Sequence, residues 1–224
     1  MGTSEHPSLW SASARNRRAR PSLLRGGADG NEQLTSITGV LLIVMLAVLG
    51  ITILRIGQLI WLHLFLGLAL IGPVVLKMAS TGYRFARYYT RNHTYRIKGP
   101  PPILLRMLAP GVVVTTLAVF VTGVVLLFVG PARRGTPLLL HKVSFILWLA
   151  LTAVHVLGHL PGLGSTLRRA TAVRDEMGVP GGGTRWVALA GALAAGLVLA
   201  VVLIPDFHIW TAPGAIPHHH HDHG

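Results

Sequence analysis

Four histidines fall within long apolar stretches of this 224-residue sequence: His63, His141, His155 and His159. Ionisable side chains are costly in hydrocarbon, so a set of them inside apolar segments asks for a chemical purpose. A neutral imidazole nitrogen is a ligand for a metal ion or for haem iron. Other chemistries are poorly supplied. The chain has no cysteine, which excludes disulfides, thiolate ligands and thiol nucleophiles. None of its seven carboxylates lies in an apolar stretch, so general acid and base pairs are missing there, as are the acidic midplane groups of cation transporters. A second group, His218, His219, His220, His221 and His223 with Asp222 among them, could chelate Zn, Cu or Ni near the C-terminus.

The elements that carry the first group follow from composition. With 51% hydrophobic and 12% charged residues, the chain holds far less charge than an ordinary soluble domain. Apolar blocks over residues 36–55, 58–80, 109–130, 137–159 and 186–204 are long enough to cross a hydrocarbon core of about 30 Å. Each is expected to be a helix, since in lipid every backbone group must find its partner within its own segment. The fold class read from this pattern is all-α: an integral membrane bundle of five transmembrane helices. Residues 1–33 are expected as a disordered basic arm, 34–205 as the bundle and 206–224 as a His-rich tail. The first apolar run is too long for a signal-peptide core and no small-residue cleavage site follows it, so it reads as an uncleaved span.

Charge distribution sets the expected orientation. Fifteen of the twenty Lys and Arg lie before span one, between spans two and three, or between spans four and five. By the positive-inside rule these segments and the N-terminus are cytoplasmic, and the C-terminus is outside. The formal charge of +13 is thus accounted for by topology, with no nucleic-acid partner implied. The expected location is the plasma membrane, multi-pass. Pro110 is read as a kink or first turn of span three, Leu160-Pro161-Gly162 as the end of span four, and Lys77, one turn inside span two, as a snorkelling side chain. His208 and Trp210 are placed at the outer interface.

Spans two and four run in the same direction. His63 lies about five residues into one and His141 about four into the other, so each sits roughly 6 to 8 Å below the same surface. Two imidazoles at one depth on parallel helices can clamp a flat macrocycle. Gly50 and Gly123 fall at about that depth on the adjoining spans, where small residues either make a slot or let helix backbones approach. His155, fourteen residues beyond His141, shares its side of the helix about 21 Å further along, and His159 is one turn beyond.

A histidine near the outer end of span two and two histidines fourteen apart on span four resemble the four-helix membrane cytochromes b of the b561 type, including the gamma subunits of formate dehydrogenases. The likeness covers roughly residues 36–160, with span five as an addition. It implies an outer haem b held by His63 and His141, with His155 on an inner haem whose partner histidine comes from the first span. Span one here has no histidine, and the position fourteen after His63 is Lys77. One haem is therefore expected, and a second would need an unusual ligand such as Met78. The function expected is an electron-transfer subunit exchanging electrons with a quinone or a partner redox protein. Its haem propionates are expected near Arg133, Arg134 or Lys142. Two competitors remain open at this point: a membrane metal-handling protein that uses the His-rich tail, and a non-catalytic scaffold bound through basic loops to anionic lipid.

Overall fold

The computed structural model describes residues 27–90, 103–172 and 182–215, which are helical with no strand among them. The helices are α1 (Gly27–Leu54), α2 (Ile56–Ala69), α3 (Ile71–Tyr89), α4 (Ile103–Val129), α5 (Gly135–Ala172), α6 (Gly182–Val202) and the short α7 (His208–Thr211), with 3-10 turns at Pro131–Arg133 and Ile204–Phe207. Five helical stretches of 18 to 32 residues are long and apolar enough to cross a membrane, α2 and α3 together making the second. Large apolar residues such as Ile51, Leu147 and Val198 point outward from them, as a lipid-facing surface requires and a water-facing one would not tolerate.

Element boundaries differ from the sequence expectation in three places. α1 begins at Gly27, inside the stretch expected to be disordered. α4 begins at Ile103, so Pro110 lies within it and does not open it. α5 runs through Pro161 to Ala172, because a proline inside a membrane-type helix removes one backbone bond without freeing the chain to leave the helix.

The second span is divided at Leu70, and Pro73 explains the break. Proline donates no hydrogen bond, so the Ala69 carbonyl loses its helical partner. α6 covers that carbonyl: a Cβ on Gly196 would overlap Ala69 O, and reciprocally a Cβ on Gly72 would overlap Ala192 O. Glycine at both positions lets the two backbones touch, and Ala192 with Gly196 forms the small-xxx-small face on which such crossings are built. α6 therefore packs against α2 and α3, as its Ala- and Gly-rich sequence suggests.

Two groups result. α1, α2, α3 and α6 form one, and the antiparallel hairpin of α4 and α5 forms the other, with only sparse contact of α4 with α2 and of α5 with α1. Over one end of the bundle the chain after α6 folds back across both groups. Phe207 is 1% exposed and packs edge-on against Trp61, with ring centroids 6.0 Å apart. Trp210 is buried. Its indole N–H is shared between Leu126 O at 3.1 Å, which also accepts from Gly130 N–H at 3.1 Å, and Leu127 O at 3.3 Å, whose helical donor is missing because Pro131 has no N–H. Arg134 ties the segment down further by donating to Ala215 O at 3.1 Å.

Candidate functional site

His63 on α2 and His141 on α5 belong to different groups of the bundle. Each is held from behind by the helix that precedes it. His63 Nδ1 is 2.9 Å from Thr52 Oγ1 on α1, and His141 Nδ1 is 3.0 Å from Thr122 Oγ1 on α4. The hydroxyl protons decide the direction of both bonds. Thr52 Oγ1 donates to Leu49 O at 2.5 Å, and Thr122 Oγ1 donates to Ala118 O at 2.7 Å. A hydroxyl has one proton, and oxygens this close need it between them. With each hydroxyl proton on its carbonyl, the threonine oxygen is the acceptor, an arrangement that calls for the imidazole tautomer with its proton on Nδ1 and its lone pair on Nε2.

The rings are further fixed by packing. A Cβ at Gly123 would stand 3.2 Å from His141 Cε1 and 3.6 Å from its Nδ1, so this glycine accommodates the imidazole itself rather than a free slot. Gly50 has nothing within 4 Å of its Cβ position. Ser144 Oγ donates to His141 O at 3.0 Å and lies 3.4 Å from Thr122 Oγ1, stitching the helix turn that carries the ring. Thr52, 1% exposed, holds His63, which is itself half-buried.

The same scheme continues along α5. Trp148, seven residues after His141, donates through Nε1–H to Thr116 Oγ1 at 3.0 Å, while Thr116 donates to Val112 O at 2.6 Å. Leu151 meets Gly111 on α4. This antiparallel register carries His155, seven residues beyond Trp148, toward the opposite end of the hairpin, far from His63. His159 lies on the helical backbone of α5 one turn further, and its side chain is outside the described residues. The tail histidines His218, His219, His220, His221 and His223 also lie outside them. Among the described residues, no three His, Asp or Glu gather as a metal site.

Lys77 reaches across to the start of the first span on α1, where Nζ donates to Thr35 O at 2.5 Å and lies 3.0 Å from the Cβ position of Gly39. Thr35 Oγ1 donates to Ser80 Oγ at 3.1 Å, and Ser80 donates to Lys77 O at 3.0 Å. Of the loop cations, Arg133 and Lys142 are exposed, and Arg134 is engaged with Ala215.

Thr52 and Thr122 were not singled out from the sequence, though a signal existed. Each is the last hydroxyl residue of its span before the connection that leads to the span bearing the histidine. No protein-family model, curated protein or solved structure matches this chain.

Proposed function

We propose that this chain is a haem b-binding electron-transfer subunit of the cell membrane, with one haem held between His63 and His141. The supporting observation is a pair of imidazoles on separate helix groups, each with Nδ1 against a threonine hydroxyl, which leaves Nε2 as the ligand atom. Two axial imidazoles of this tautomer are the donor set of a low-spin haem. The sparse packing between the two groups suits a flat group better than a single ion, whose ligands would have to converge more closely. When bound, haem supplies reversible one-electron transfer. The chain's part is to aim the two Nε2 atoms, to exclude water with Phe207, Trp61 and the segment over the bundle end, and to keep the site within apolar helices.

The likeness to b561-type cytochromes and formate dehydrogenase gamma subunits supports the same reading. On the positive-inside rule the His63 and His141 end faces outward and the N-terminus is cytoplasmic, which puts electron entry at the outer side, from a quinone or a redox partner. The expected result for purified protein is a reducible b-type spectrum with about one haem per chain, lost in His63→Ala and in His141→Ala. Protein made with ample haem that shows no such spectrum contradicts the proposal, and metal content lost only on deleting residues 218–223 supports the metal-handling alternative.

A further inference from the structure

The two threonines behind the histidines form a repeated device. The first hairpin pairs Thr52 with His63 and the second pairs Thr122 with His141, at 2.9 and 3.0 Å, although the partners are separated by 11 and 19 residues in the chain. In both, the hydroxyl proton is committed to a carbonyl of the threonine's own helix. Independent recurrence in two hairpins of different connection length is not expected of incidental contacts. Thr116 and Trp148 show the same hydroxyl use where no ligand atom is involved, so the scheme is a general way for this chain to hold an N–H donor.

We propose that Thr52 and Thr122 are positioning residues for the haem ligands: they fix the Nδ1–H tautomer, set the direction of each Nε2, and lower the potential of the bound haem. This rests on the haem reading above. An imidazole whose Nδ1–H is donated to an oxygen gains basicity at Nε2, and a more basic axial ligand favours the oxidised iron. Hydroxyl-bonded ligands also stay aimed when the site is empty, so less ordering is needed on binding.

Thr52→Val and Thr122→Val remove the oxygen at nearly constant volume, and Thr→Ser at either position keeps it. Two measurements on the full chain in detergent test the proposal. Nitrogen NMR of 15N-histidine-labelled protein without haem reads the tautomer directly. The expected result is Nδ1–H for His63 and His141 in the wild type and the serine variants, with mixed tautomers at the affected histidine in each valine variant. Haem titration and redox potentiometry read the consequence: each valine variant binds haem about 10 to 100-fold more weakly and its midpoint potential moves upward, while serine restores both. A purely structural role predicts loss of thermal stability without a shift in tautomer or potential, and that result overturns the proposal, as does a valine variant with wild-type tautomers. Should the wild type bind no haem while its tautomers follow the hydroxyls, the haem reading fails and the positioning role stands.

Discussion

At the scale of single residues, the account turns on which atoms of His63 and His141 are free to bind. Both Nδ1 atoms face threonine oxygens, so the two Nε2 atoms define the ligand axis. His155 sits two heptads along α5 from His141, and Lys77, which stands where a second ligand would be sought, is turned toward Thr35 and Gly39. An ammonium that donates to a carbonyl has no lone pair to offer. His155→Ala is therefore expected to leave the haem spectrum and stoichiometry unchanged, and spectral loss in this variant would require a second haem. The glycines near the site separate in the same way. Gly123→Ala places a methyl group 3.2 Å from His141 Cε1 and must displace the ring, so a weakened or shifted b-type spectrum is expected. Gly50→Ala meets nothing within 4 Å and is expected to leave the spectrum of the purified protein as it was.

At the scale of elements, the crossing of α6 over the α2–α3 break is the most constrained contact in the bundle. It exists because Pro73 frees the Ala69 carbonyl and because Gly72 and Gly196 carry no Cβ. Gly196→Ala drives a methyl group into backbone that cannot rotate away, so a loss of roughly 1 to 3 kcal/mol is expected, read as a lower midpoint in thermal unfolding in detergent. Gly191→Ala, with nothing within 4 Å, is the control expected to show no loss. Trp210→Phe retains the packing but leaves Leu127 O without its donor, at a cost of about 0.5 to 1.5 kcal/mol. The five spans were legible from apolar run length, and with them the placement of His63 and His141 on two of the helices. The partners were not, since a threonine in a membrane helix ordinarily bonds its own backbone and gives no sign that it also accepts from a neighbour. The course of α5 through Pro161 escaped for a related reason: proline is a strong stop signal in water and a weak one where no solvent can take the freed carbonyls.

At the scale of the whole molecule, two helix groups meet sparsely, one carrying His63 and the other His141, with Phe207 and Trp210 packed over one end. On the proposed topology, the charge asymmetry of the connections would orient this end outward. The absence of cysteine makes the orientation simple to check, because single cysteines can be placed on a clean background. In intact cells, a membrane-impermeant maleimide is expected to label Thr136→Cys, exposed at the start of α5 beside Pro137, and to spare Thr90→Cys at the end of α3. The reverse pattern would invert the topology and move electron entry to the cytoplasmic side. Two groups joined sparsely also imply that the ligand itself contributes to holding them together. A protein loaded with haem is thus expected to unfold at higher temperature than one without it, by the ordinary linkage between binding and stability.

The most direct test of the central claim is a reduced-minus-oxidised spectrum of the purified chain with haem quantified per polypeptide, repeated for His63→Ala and His141→Ala. The account predicts one low-spin b-type haem in the wild type and none in either variant. A wild-type chain without haem, or a haem that survives both substitutions, contradicts it.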